Sequence, residues 1–273
     1  MIKIQDLYIY PIKSLGGYRV EEAEVTQRGL AHDRRWMLID PNRRFLTQRE
    51  HPLMALLQVQ PAENGFQVFH RNRPDQFLLI PWQASGDSME VAIWGDRCQA
   101  LALSLEADAW FTEALGSRCQ LVYMPEGSRR QVDLNYAPEG TITGFTDGYP
   151  ILMISQASLD DLNTRLPEPL PMNRFRPNIV LSGAEAYAED RMDSFTINNI
   201  ELRGVKPCAR CVITTINQET GIAGKDPLRT FATYRQQGNK VLFGQNVLGL
   251  GTGILHTGDT VSVTLWRDVL LKG

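Results

Sequence analysis

Short stretches of alternating apolar and polar residues, each closed by a turn, dominate the N-terminal part of the chain. Residues 2–10 alternate and stop at Pro11, and residues 20–25 repeat the pattern. Residues 35–39 run into the turn Asp40-Pro41-Asn42 and return over 44–48, which predicts a hairpin. Further short strands are expected over 65–69, 77–81 and 89–94. Many short strands separated by turns can bury their inner faces only by closing into a barrel or stacking as a sandwich.

The period changes after residue 102. Ser104 can cap a helix over 103–115, with Leu105, Ala109, Phe111 and Leu115 on one face. A strand over 120–124 follows. Residues 125–148 are polar, contain glycine and exceed an ordinary connection, which predicts a functional or partly mobile loop. A domain division is expected there, giving units of 1–122 and 123–268. Beyond it, Ser155 can cap a helix reaching Leu166, striped by Leu159, Leu162 and Leu166. Residues 178–182 predict a buried strand, 195–204 a hairpin turning at Asn198-Asn199, 226–236 a short helix and 260–266 a closing strand. The fold class expected is mostly β with flanking helices (α+β).

Composition bounds the function. The net charge of -3 leaves no electrostatic footprint for nucleic acid or an acidic membrane surface. No apolar run approaches the roughly 20 residues needed to span a bilayer, and residues 1–6 read as a strand, not a signal peptide. A cytoplasmic location is expected, with no nucleic acid or membrane partner. Cys98 and Cys119 stand alone in strand-like sequence and read as reduced core thiols.

The other two of the four cysteines lie in Lys206-Pro207-Cys208-Ala209-Arg210-Cys211. A thiolate is a soft ligand and a good nucleophile, and an adjacent guanidinium favours it. Zinc needs a second cysteine pair or histidines at ligand spacing, whereas His32, His51, His70 and His256 are scattered. A thioredoxin-like dithiol needs a helix start, whereas the β-branched run 212–216 predicts a strand. One cysteine ligating a soft metal and two structural thiols both stay open.

Four other segments carry chemistry. Arg174 and Arg176 occupy alternate positions and would point the same way in an extended segment, suiting phosphate or carboxylate oxygens or else a solvated strand edge. Lys13 and Ser14 precede Gly16-Gly17 in a loop able to offer an ammonium and backbone N–H groups to an anion, or to be a plain turn. Asp33-Arg34-Arg35-Trp36 suits either a buried ion pair or a second anion contact. Phe243-Gly244-Gln245-Asn246 offers amides after a strand. Arg129 and Arg130 read as solvated.

In order along the chain, Tyr10-Pro11-Ile12-Lys13-Ser14, Asp33-Arg34-Arg35-Trp36, Asp147-Gly148-Tyr149-Pro150, Phe175-Arg176-Pro177-Asn178, the cysteine loop and Phe243-Gly244-Gln245-Asn246 resemble the motifs of MOSC-domain proteins. The likeness is to the bacterial YcbX type, related to the mitochondrial amidoxime reducing component, over nearly the whole chain. It implies an N-terminal MOSC β-barrel domain followed by a β-barrel MOSC core. It also implies a molybdenum cofactor, a pyranopterin dithiolene whose molybdenum Cys211 ligates as the metal-binding and catalytic residue. Lys13, Ser14, Arg34, Asp147, Gly148, Arg176, Asn178, Arg210 and Gln245 match positions expected to hold that cofactor, and Cys208 is left to pack beside it. The activity implied is reduction of N-hydroxylated small molecules, and the family also carries an association with pyridoxal phosphate binding. With only four cysteines, a four-thiolate iron–sulfur cluster is not expected, so electrons would come from a separate donor protein, a ferredoxin or flavoprotein. A sulfur carrier using a cysteine persulfide, or a non-catalytic cofactor-binding module, are the alternatives.

Overall fold

Strand Lys3–Ile9 carries the first alternating run, and a bulge between Ile4 and Asp6 lets Ile4, Leu7 and Ile9 share the buried face. The structure, a computed structural model, describes residues 1–268. Lys3–Ile9 pairs with Tyr18–Val20 on one side and with distant Ile179–Ser182 on the other. The nine-stranded sheet so formed continues through Ile151–Ser155, Lys240–Gly249, Ile200–Ala209, Met192–Ile197 and Val261–Trp266, and Gln236–Gln237 pairs on its side. Ile151–Ser155 and Ile179–Ser182 are parallel, and the helix Gln156–Asn163 lies on the crossover that a parallel pair requires. One face of the sheet buries Leu7, Met153, Phe195 and Val247. The other packs Ile154, Leu159, Phe231 and Phe243.

A four-stranded sheet, Trp36–Ile39, Gln120–Tyr123, Asp96–Ala102 and Ser88–Ile93, faces the meander Leu57–Ala62, Gly65–His70 and Arg73–Pro81. Trp36, Leu57, Phe66 and Phe111 fill the space between them. Three further strands, Gly253–His256, Glu22–Thr26 and Gly29–Leu30, pair with one another, and their Ala23, Val25, Leu30 and Leu255 pack into the core of the nine-stranded sheet. The described residues are mostly β, as the alternation predicts.

Several local expectations give way. Residues 20–25 are not one strand: the run breaks at Glu21 into Tyr18–Val20 and Glu22–Thr26, which join different sheets. Residues 44–48 return along Trp36–Ile39 only as a bridge, Ile39 to Phe45. Helix Leu105–Leu115 is capped by Ser104, whose Oγ accepts the Ala107 N–H at 3.1 Å, but its buried face is Ala107 and Phe111, and Leu105 is 85% exposed. Ser155 stands at the start of Gln156–Asn163 without a side-chain cap. The helix over 226–236 shrinks to Leu228–Phe231, which starts only after Pro227.

Residues 212–216 are not a strand. Val212–Thr215 is a 3-10 turn, in which Thr214 Oγ1 donates to the Cys211 carbonyl at 2.9 Å and Thr215 Oγ1 to the Val212 carbonyl at 2.8 Å. Such local hydroxyl bonds offer the backbone an alternative to a β ladder. The segment 125–148 is an ordered strap. Buried Arg130 binds the Gly144 and Thr146 carbonyls at 3.0 and 2.6 Å and pairs with Asp96 at 2.8 Å, so it is not solvated.

Candidate functional site

One cleft gathers side chains from widely separated segments of the chain. Cys208 is the penultimate residue of the strand Ile200–Ala209, and Cys211 stands just before the 3-10 turn. Both thiols are free, half-buried and line the cleft. Lys13, Ser14, Arg34, Asp147, Gly148, Arg176, Asn178 and Arg210 line it too. The structure therefore brings together nine of the ten expected site residues, counting Cys211.

Gln245 is the exception. It is fully buried inside strand Lys240–Gly249, where its Nε2 donates to the Asp190 and Met192 carbonyls at 3.2 and 3.4 Å. Strand alternation turns its neighbour Asn246 toward the cleft instead. Arg174 also departs from its expected pairing with Arg176. It lies in the 3-10 turn Met172–Arg174, so the two do not alternate, and it donates to the Thr214 carbonyl at 3.5 Å without lining the cleft itself.

The backbone is unusual here. Ser14, Arg34 and Arg176 hold φ of 66, 47 and 58°. Non-glycine residues avoid this left-handed region, and such strain persists where the surroundings over-determine it. The surroundings do so for Arg34. Its Nη1 pairs with buried Asp33 at 2.6 Å and donates to Asn178 Oδ1 at 3.0 Å, while Nη2 donates to the Arg176 carbonyl at 3.1 Å. Asp33 in turn accepts the Tyr10 N–H at 2.9 Å. The Arg34 and Arg176 guanidinium groups each lie over the Tyr10 ring, 4.4 Å from its centroid. Thus Asp33-Arg34 is a buried ion pair and a cleft wall at once. Asn178 holds the wall together, since its Nδ2 donates to the Tyr8 carbonyl at 3.2 Å.

Five cations, Lys13, Arg34, Arg49, Arg176 and Arg210, line the cleft against one carboxylate, Asp147. Burial pulls Lys13 down to about 8, although its bond to Asp147 acts the other way. Desolvation within the cleft would raise Asp147, half exposed though it is, but the charges of Lys13 and Arg49 outweigh it and hold the carboxyl well below its usual range. Burial, then the charge of Arg34, lowers Arg176 to about 10, which leaves it protonated at neutral pH.

Arg49 carries no motif in the sequence, yet it is central. Its Nη2 lies 3.1 Å from Cys211 Sγ and 3.2 Å from Asp147 Oδ2. Arg210 serves the other thiol, with Nη1 3.3 Å from Cys208 Sγ and Nη2 2.6 Å from the Phe175 carbonyl. Its buried Nε has no partner among the described residues.

This arrangement suits an anionic group rich in acceptor atoms. Planar guanidinium forks bind phosphate and similar oxygens well. A Cβ at Gly148 would meet open space, so the backbone there stays approachable. No group of three His, Cys, Asp or Glu side chains among the described residues can hold a metal ion. A metal at Cys211 would therefore take its other ligands from a bound organic group. The residues present fit a molybdenum cofactor in that sense: one soft thiolate for the metal and a cationic wall for the scaffold.

The MOSC N-terminal β-barrel domain model matches residues 1–118, and the MOSC domain model matches residues 141–262. Mitochondrial amidoxime-reducing component 1 of Mus musculus is 32% identical over 94% of this chain and 81% of its own length. Mitochondrial amidoxime reducing component 2 of Homo sapiens is 33% identical over 85% of this chain and 72% of its own. The molybdenum cofactor sulfurase of Oryza sativa is 30% identical over 89% of this chain but only 32% of its own length. The chain belongs to the MOSC-domain family, as a homologue of the mitochondrial amidoxime-reducing components.

Proposed function

We propose that the protein is a molybdenum-cofactor-dependent reductase of N-hydroxylated small molecules, fed by a separate electron-donor protein such as a ferredoxin or flavoprotein. The observation that carries the reading is the half-buried Cys211 thiol facing a cleft walled by five cations. The bound cofactor would supply the two-electron chemistry that cleaves an N–O bond. Cys211 would be the protein's ligand to its metal. Lys13, Arg176 and Arg210 would hold the anionic scaffold, with Ser14 and the Gly148 backbone beside it. Arg34 and Asn178 would fix that wall, and Gln245 would brace the strand behind it.

The free thiols accord with a reducing, cytoplasmic compartment. No helix of the described residues is long and apolar enough to cross a membrane. Pyridoxal phosphate has less support, because Lys13, the lysine of this cleft, is committed to Asp147.

Holoprotein supplied with a reduced viologen should convert benzamidoxime to benzamidine, and Cys211→Ala should lower that rate at least about 100-fold. Equal rates in the two proteins would remove Cys211 from the chemistry. The likeness to a cofactor sulfurase favours a second reading, a sulfur carrier. A persulfide on Cys211 in protein free of pterin, found by mass spectrometry, would support it.

A further inference from the structure

Trp94 occupies the tip of the hairpin that joins Ser88–Ile93 to Asp96–Ala102. Its φ of 54° lies in the left-handed region, which a bulky side chain enters only against steric resistance. Glycine takes that conformation freely, yet here it stands one place later, at Gly95. Burial does not offset the strain, because Trp94 is 46% exposed. An exposed aromatic held in a costly backbone conformation points to a use for the ring.

The indole is fixed in place all the same. The Arg49 guanidinium lies 4.5 Å from its centroid, and the Phe45 ring packs at 4.7 Å. Lys13 Nζ is 5.9 Å away. Two residues on, Asp96 binds buried Arg130, which also holds the Gly144 and Thr146 carbonyls just before Asp147. One guanidinium therefore braces the hairpin tip against the strap. Arg49, which touches the indole, also touches Asp147 and Cys211. That side chain bridges the ring and the thiol.

Arg49 already has Asp147 as its counter-ion, so the indole is not needed to hold it in place. We propose that the exposed surface of Trp94 is a stacking platform at the mouth of the site, selecting flat, conjugated N-hydroxylated substrates over aliphatic ones. This specificity rests on the reductase reading above. Offset stacking of a neutral aromatic ring on the indole adds contact that an aliphatic amidoxime cannot make.

Trp94→Gly removes the ring and relieves the left-handed backbone, so it should fold, and Trp94→Phe keeps a ring. Holoprotein reduced by viologen is assayed with benzamidoxime and acetamidoxime. The ratio of their kcat/KM values should fall about tenfold in Trp94→Gly and largely recover in Trp94→Phe. A second readout needs no turnover: benzamidoxime binding to the oxidised protein, followed by ligand-observed NMR, should weaken about tenfold in Trp94→Gly. An unchanged ratio with unchanged binding overturns the platform. Should wild-type protein reduce neither substrate, the reductase reading falls and binding alone decides: weakening in Trp94→Gly upholds an aromatic platform, and no change overturns it. Turnover lost in Trp94→Gly with a protein donor but kept with viologen would assign Trp94 to a donor interface, and also overturns the proposal.

Discussion

Arg34 has two duties that a single substitution confounds. It lines the cleft, and it neutralises Asp33, which is 2% exposed. Removing one partner of a buried pair leaves an uncompensated charge, at a cost of about 3–5 kcal/mol. Arg34→Ala should therefore lower the urea midpoint sharply, and lost activity in it is not proof of a cofactor contact. Arg49→Met should cost under about 1 kcal/mol, because Asp147 is half exposed and keeps Lys13. Equal midpoints for the two variants would contradict this account of Asp33. At this scale, the legible residues were those whose chemistry stood in a motif. Arg49 was not legible, since nothing in Thr47-Gln48-Arg49-Glu50 announces a fold that carries it to Cys211. Gln245 is hidden because its segment does not follow a strand. It lies within one, and alternation gives the cleft to Asn246.

Helix Gln156–Asn163 shows how an element borrows what its own sequence lacks. Ser155 provides no side-chain cap, but Glu189 Oε1 accepts the Ser155 N–H at 3.1 Å and Oε2 accepts the Ser158 hydroxyl at 2.9 Å. Burial, then the charge of neighbouring Asp190, raises Glu189 to about 7. Its ordinary value is 4.5, so the folded protein binds the extra proton between these two pH values. A raised folded pKa gives stability that is complete below the unfolded value and lost as pH rises through the folded one. Wild-type protein should thus lose stability relative to Glu189→Gln as pH rises from about 4.5 to about 7. Parallel stability profiles for the two, by urea titration, would remove Glu189 from that role. Periodicity gave the existence of this helix and its buried Leu159 and Leu162. It did not give the cap, which comes from a residue far along the chain. Propensity likewise misjudged residues 212–216, where threonine hydroxyls bind the backbone locally and set Cys211 before a turn.

For the whole molecule, short strands and turns sufficed to read a mostly β chain, but strand pairing was beyond reach. Lys3–Ile9 lies within the nine-stranded sheet, bonded to Ile179–Ser182. Long-range pairings of this kind leave no local mark on either partner. They have a consequence for dissection. Residues 123–268 made alone would expose an apolar, unpaired edge at Ile179–Ser182 and should aggregate or give poorly dispersed NMR spectra. A well-dispersed spectrum from that piece would show that the sheet does not need its first strands. The cleft is likewise a property of the full chain, since Lys13, Arg34 and Arg49 come from one half and Asp147, Arg176 and Cys211 from the other. The central claim is that this assembly holds a molybdenum cofactor through one sulfur. Metal and pterin per protein, measured in wild type, Cys208→Ala and Cys211→Ala made in cells that synthesise the cofactor, test it directly. Molybdenum retained in wild type and Cys208→Ala but lost from Cys211→Ala is the predicted result. Equal molybdenum in all three would contradict it.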